Sequence, residues 1–408
     1  MHQCTYRFAL FFCFTFSLAV LANVAQAQNL TVLHNFTGGN DGALPASSLI
    51  MDRAGNLYGT TTEGGAHNYG TVFRMSHAGS GWILTTLYSF DGMNGNADPN
   101  GGLAFGPDGS LYGTLCCGLS DGGIYRLRPA PTTCHSVSCP WEETIIHMFT
   151  GGLDGGDPSG NLVVDQAGNI YGTSGGGGTD MAGLIYEFSP SNGGWTETVL
   201  YNFTVETGYL PNGGVIFDNA GNLYGATSLG GPSGGGAVFE LSPSGSGWTL
   251  TNLATSSFPG AEFTGGVAMD AQGNLFGGAC CGRGYERPGG IFELTPSNGG
   301  WTLNPLYAFN VAGTGPQFGV VLNAADDVYG VSVGTGQYSL GEVYKLTNFN
   351  GSWNYTSVSF NGSNGEQPRG GVILDSAGTI YGTAWGGGTG SCNVYGSNGC
   401  GVVWAITQ

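Results

Sequence analysis

Short apolar bursts recur along the chain at a near-constant interval, each bounded by Gly, Asn, Asp or Pro. One burst is Leu57-Tyr58-Gly59-Thr60, and its aromatic position returns at Tyr112, Tyr171, Tyr224, Phe276, Tyr329 and Tyr381, at spacings of 54, 59, 53, 52, 53 and 52 residues. Three further bursts share each period. One precedes it, as in Gly101-Gly102-Leu103-Ala104-Phe105 or Gly213-Gly214-Val215-Ile216-Phe217. Another follows, as in Gly70-Thr71-Val72-Phe73-Arg74-Met75 or Gly341-Glu342-Val343-Tyr344-Lys345-Leu346. The last opens on Trp82, Trp141, Trp195, Trp248, Trp301 or Trp353. Runs of this length and composition, punctuated by turn residues, predict β-strands. Four strands per period of about fifty residues predict the blade of a β-propeller.

The chain ends support a closed ring. Leu30-Thr31-Val32-Leu33-His34-Asn35-Phe36 matches the fourth-strand pattern of Thr198-Val199-Leu200-Tyr201-Asn202-Phe203, whereas the seventh repeat stops after its third strand. The N-terminal strand is therefore expected to complete the last blade and remove the open sheet edges. The expectation is an all-β, seven-bladed propeller over residues 28–408.

Between the first two strands of a blade lies Asp52-Arg53-Ala54-Gly55-Asn56, echoed from Asp165, Asp218, Asp270 and Asp375 and, more weakly, from Pro107 and Asn323. Carboxylates spread around a ring serve no single substrate. An Asx-type turn, with Gly at positive φ, explains both the residue choice and its position. The sixth copy, Asn323-Ala324-Ala325-Asp326-Asp327, is expected to be looser.

The Asp-x-x-Gly-Asn-x-Tyr-Gly turn, the Gly-Thr-Val-Phe-Arg-Met strand and the Ser80-Gly81-Trp82 type of opening resemble the GloVer tandem repeats of exported bacterial proteins. The resemblance spans the repeat region, and NHL-type propellers are similar more distantly. It implies an exported propeller and no established activity. Those relatives carry varied C-terminal anchors; none is recognisable here.

Composition narrows the partners. Only 9 basic residues stand against 27 acidic ones, so a phosphate-tracking surface is excluded and neither nucleic acid nor insertion into a membrane is expected. Arg7, the uncharged run from Phe8 to Leu21 and Ala25-Gln26-Ala27 predict a signal peptide over residues 1–27, hence secretion to an extracellular or periplasmic space. A monomer is expected.

In a propeller, the loops joining strand four to strand one and strand two to strand three share one face, and function concentrates in such loops. The expected ligand-binding side chains there are His67, Tyr69, Tyr285, Trp385 and Tyr395. Aromatic faces stack on the apolar faces of sugars. The preferred reading is a non-catalytic propeller binding a polysaccharide, cell-surface glycan or surface protein. One alternative is a carbohydrate-active hydrolase or lyase using Glu63, Asp121 or Glu286, since propellers can assemble paired carboxylates from distant blades. Another is a structural surface or matrix protein. No nucleophile elbow, histidine metal pair or phosphate-cradling loop occurs. No cofactor is expected. Calcium through Asp41, Asp154 or Asp157 is the weaker option, because the loops lack densely alternating oxygen ligands.

Eight cysteines follow the leader, an even number that suits full oxidation in an exported protein. Cys134 with Cys139, and Cys392 with Cys400, are placed to close local loops. The adjacent pairs Cys116-Cys117 and Cys280-Cys281 are expected to form vicinal disulfides. They act as loop clamps or, less favoured, as flat platforms for a sugar ring.

Overall fold

The computed structural model describes residues 29–93, 97–116, 121–129, 141–256, 262–281, 288–394 and 397–407. They form seven four-stranded antiparallel sheets arranged as a seven-bladed β-propeller. The signal peptide, Cys117, Cys134, Cys139, Tyr285, Glu286 and Tyr395 lie outside the described residues. Strand Asn29–Asn35 pairs antiparallel with Val402–Thr407, from Asn29 opposite Thr407 to Asn35 opposite Val402, so the first segment of the ring completes the last blade.

A single contact, repeated in every blade, explains the Gly of the Tyr-Gly burst. Strand two places Gly59, Gly113, Gly172, Gly225, Gly277, Gly330 and Gly382 directly opposite Phe73, Tyr125, Tyr186, Phe239, Phe292, Tyr344 and Trp404 of strand three. A Cβ on any of these glycines would collide with the ring across from it. Glycine normally weakens a strand, and here the missing side chain is replaced by the aromatic that folds over it. Those rings are fully buried (Phe73 0%, Tyr186 0%, Trp404 0%). Each contributes on the order of 2–3 kcal/mol by burial.

The core lies between blades. Its buried side chains fall into seven clusters among the described residues, one per seam. At the first seam, Tyr58, Val72 and Phe90 of blade one pack with Leu103, Leu111 and Tyr125 of blade two. The repeat tyrosine is thus seam filling, as Tyr58 against Phe105 and Tyr171 against Phe217 illustrate, with ring centroids 5.3 and 4.9 Å apart.

The Asp turn is architecture. Oδ1 of Asp52 accepts the backbone N–H of Ala54 and of Asn56, both at 2.9 Å, while Oδ2 accepts Asn56 Nδ2 at 2.8 Å and the Tyr58 hydroxyl at 3.0 Å. Gly55 sits at φ +81°. Partial burial disfavours the ionised form, but these hydrogen bonds outweigh it and hold the carboxyl below its usual range. The sixth copy keeps the same geometry: Asn323 Oδ1 accepts the N–H of Ala325 and Asp327 at 2.9 Å each, and Asp326 takes the left-handed position at φ 60°. The expected loosening is absent because an amide oxygen accepts those two bonds as well as a carboxylate does. Lys345 Nζ then pairs with Asp327 Oδ2 at 2.9 Å.

Candidate functional site at the axial loop face

The innermost strands of neighbouring blades approach so closely that several of their glycines have no room for a side chain. A Cβ on Gly213 would collide with the backbone of Gly265, one on Gly265 with that of Phe318 and Gly319, and one on Gly370 with that of Ser47. Just ahead of this constriction, on the loop face, a proline sits in six of the incoming segments, five of them with a residue other than glycine before it. The residue before it is left-handed: Leu44 (φ 57°), Asp98 (51°), Asp157 (57°), Leu210 (56°) and Gln367 (50°). Each staples two blades. The N–H of Asp98 donates to Tyr69 C=O of blade one at 3.3 Å, and its own C=O accepts Cys116 N–H at 3.0 Å. Gln367 repeats this with Leu340 C=O at 2.7 Å and Trp385 N–H at 3.1 Å.

The residues after Pro99, Pro211, Pro316 and Pro368 form a collar of three amide side chains and one cation. Asn100 and Asn212 are exposed there, and Gln317 and Arg369 are half-buried. The Arg369 guanidinium lies over the Trp385 ring, 3.9 Å from its centroid, and Nη2 donates to Gln367 Oε1 at 3.1 Å. Among the described residues Arg369 is the one Arg or Lys on this face, since the others lie on third strands or in a turn between strands one and two.

The expected ligand-binding residues separate. His67 is exposed. Tyr69 is 43% exposed and lies against Gly92, where a Cβ would collide with its ring. Trp385 is only 5% exposed and belongs to the core between blades seven and one. It directly follows strand two, Ile380–Ala384, and packs in that core with the Arg369 guanidinium over its ring. His67 and Tyr69 therefore share one loop, whereas Trp385 is placed in another blade.

Among the cysteines, Cys280 is bonded to Cys281 and Cys392 to Cys400. Cys116 is also disulfide-bonded. Cys280 and Cys281 are 1% and 5% exposed, beneath Gly315 and Gln317 of the segment entering blade six. Burial under a neighbouring blade suits a clamp rather than a platform. Cys116 Sγ lies 3.5 Å from Asp157 Oδ1, a contact without a donor because a disulfide sulfur carries no proton. The Cys392–Cys400 bond packs on Gly38, in the loop that follows the ring-closing strand.

Two carboxyls share the seam beside Tyr69. Burial and then repulsion from Asp98 push Glu63 up from its usual range, and burial pushes Asp98 up as well. Asp41 and Asp154, considered for calcium, are engaged by their own loops. Asp41 Oδ2 meets Thr37 N–H and His34 Nε2 at 3.0 Å, and Asp154 Oδ2 meets Thr150 N–H at 3.0 Å and His147 Nε2 at 3.1 Å. No group of three or more His, Cys, Asp or Glu is placed to hold a metal ion among the described residues. No helix among them is long and apolar enough to cross a membrane. Of the left-handed and post-proline residues only Asp157 is a candidate from sequence, although a recurring X-Pro-X in the inter-blade segments marks them all.

The chain belongs to the Gloeobacter/Verrucomicrobia repeat family, whose model matches residues 19–139 and 120–317. No curated protein matches it in sequence. Among solved structures it is similar to the GH74 enzyme of Niastella koreensis (14% identity, TM-score 0.52), covering 87% of this chain and 52% of that one. It is also similar to PorZ, a surface component of the type-IX secretion system of Porphyromonas gingivalis (14%, TM-score 0.49), covering 86% and 46%. A protein of unknown function from Dyadobacter fermentans (11%, TM-score 0.46) is covered over 97% of its length and covers 93% of this chain. At these identities the likeness is one of fold alone.

Proposed function

We propose that this is an exported, non-catalytic, monomeric propeller that binds an extracellular polysaccharide or cell-surface glycan at the axial loop face. The observation that carries the reading is the collar of Asn100, Asn212, Gln317 and Arg369, one side chain from each of four blades, with Tyr69 exposed on a loop whose backbone bonds the segment leading to Asn100. Amide and guanidinium groups offer donors and acceptors to ligand hydroxyls, and an aromatic ring covers apolar sugar faces. The test is calorimetry of residues 28–408, cysteines oxidised, against a panel of neutral and charged polysaccharides. Saturable binding, weakened ~10-fold or more by Tyr69→Ala or Arg369→Ala at unchanged thermal stability, is the expected result, a loss of about 1.4 kcal/mol. Intact folding with no saccharide bound removes the reading.

The half-buried pair Glu63 and Asp98 favours a second reading, glycoside hydrolysis. Two part-buried carboxyls on one seam, both raised from their usual range, supply the residue types of the acid and the base or nucleophile in such enzymes. Turnover of a polysaccharide, abolished by Glu63→Gln and by Asp98→Asn, would establish it over simple binding.

A further inference from the structure

Three exposed large apolar side chains lie on neighbouring loops that border blade three. Leu153 is 72% exposed, Met181 59% and Val205 66%. Their loops are tied together: Gly178 N–H donates to Gly152 C=O at 2.8 Å, and Leu210 N–H of the segment carrying Val205 donates to Ala182 C=O at 3.2 Å. Two of the three sit next to an exposed acid, as Asp180-Met181 and Val205-Glu206.

Met181 also occupies a conformation that its side chain disfavours. In four blades the loop between strands two and three closes with the same bond across six residues: Gly70 to Gly64, Gly183 to Gly177, Gly236 to Gly230 and Gly341 to Thr335. Two residues before the donor, the chain is left-handed each time, at Asn68 (φ 63°), Met181 (55°), Gly234 (79°) and Ser339 (57°). Asn, Gly and Ser suit that position by size or by local hydrogen bonding, whereas an unbranched apolar chain gains nothing there. Nor does packing compensate, because more than half of Met181 faces water. A residue that is strained and exposed at once breaks two local preferences, and such breaks concentrate at functional positions.

We infer that Leu153, Met181 and Val205, flanked by Asp180 and Glu206, form a docking surface for a basic, apolar segment of a partner protein. Aliphatic side chains with methionine suit a protein interface better than a sugar, which prefers flat aromatic faces. The neighbouring carboxylates, on a chain of net charge −18, select a partner carrying Lys and Arg. The inference is independent of glycan binding at the axis.

The test uses residues 28–408 and synthetic peptides with one Leu and Phe pattern but Lys and Arg, Asn and Gln, or Asp and Glu between the apolar positions. The basic series should bind, weaken with salt, and exceed the acidic series by ~10-fold or more. Met181→Gly should weaken that binding ~10-fold while leaving the melting temperature equal or higher, because it removes the strain. Leu153→Ser and Val205→Ser should act in the same direction, and polysaccharide affinity should not change in any of the three. Binding that ignores charge, or that survives these substitutions, overturns the inference, as does absence of peptide binding. Concentration-dependent dimers abolished by Met181→Gly would assign the surface to a second copy instead. Co-sedimentation with neutral phosphatidylcholine vesicles, lost in the same variant, would assign it to lipid.

Discussion

Two inter-blade seams carry the same staple with a different third member. Between blades seven and one, His34 meets Asp41 and the facing strand contributes Leu84. Between blades two and three, His147 meets Asp154 in the same way, but Glu197 stands where Leu84 stands, two residues after the strand-opening Trp, with Oε2 3.9 Å from His147 Nε2. Burial first, then repulsion from Asp154, pushes the Glu197 carboxyl up to about 7. The same positions vary in step elsewhere: Tyr88 donates to Glu143 at 3.1 Å, Tyr307 stacks on Tyr355 at 4.1 Å, and Leu250 faces the seam that carries Tyr201. The frame tolerates an apolar or a polar filling. A buried polar group nevertheless needs partners, and Glu197 Oε1 has none.

The largest break removes the shared acid. Asp41→Ala should lose ~2–3 kcal/mol of stability, since a carboxylate accepting a loop N–H, a hydroxyl and a histidine is a strong acceptor. At pH 8, Asp154→Ala should lose less, ~1 kcal/mol, because it also relieves Glu197. Equal losses in denaturant unfolding at pH 8 would show that the two carboxylates do not interact. Leu84→Glu should next lower stability by ~2 kcal/mol at pH 8, by burying a carboxylate at the seam between blades seven and one.

The converse, Glu197→Leu, sharpens the comparison through pH. A carboxyl whose folded-state pKa is raised binds its proton more tightly when folded, so its contribution to stability is intact below the unfolded value and lost as pH rises towards 7. The shift from 4.5 to about 7 corresponds to ~3 kcal/mol, which screening at a partly open seam reduces to on the order of 1–2 kcal/mol. The variant should therefore be more stable than the parent by that amount at pH 8 and nearly equal to it at pH 4.5. A pH-independent difference would assign the effect to packing. Smallest of all, raising salt to 1 M should recover a few tenths of a kcal/mol in the parent at pH 8 and nothing in Glu197→Leu.

Blade number, closure and the turn role of Asp52 were legible because each rests on a pattern repeated along the chain, where coincidence is improbable. The glycine opposite Phe73 was visible only as a letter; its cause is a partner across the sheet. Trp385 reads as an exposed loop aromatic, yet it packs in the core directly after strand two. Asp98, Gln367 and Arg369 escaped notice because an X-Pro-X segment looks like any loop until the ring brings its copies around one axis. Glu197 reads as an ordinary strand acid, since only the neighbouring blade supplies Asp154 and His147.

Pairing Asn29–Asn35 with Val402–Thr407 also sets an order of events. The first strand of the ring to leave the ribosome is the last to find its partner, after six blades have had the opportunity to form from neighbouring segments. Until then each of these two strands carries an unsatisfied row of backbone donors and acceptors. The interval before closure is when this protein is most exposed to joining another copy of itself, and a chaperone that shields the N-terminal strand would act on this one step.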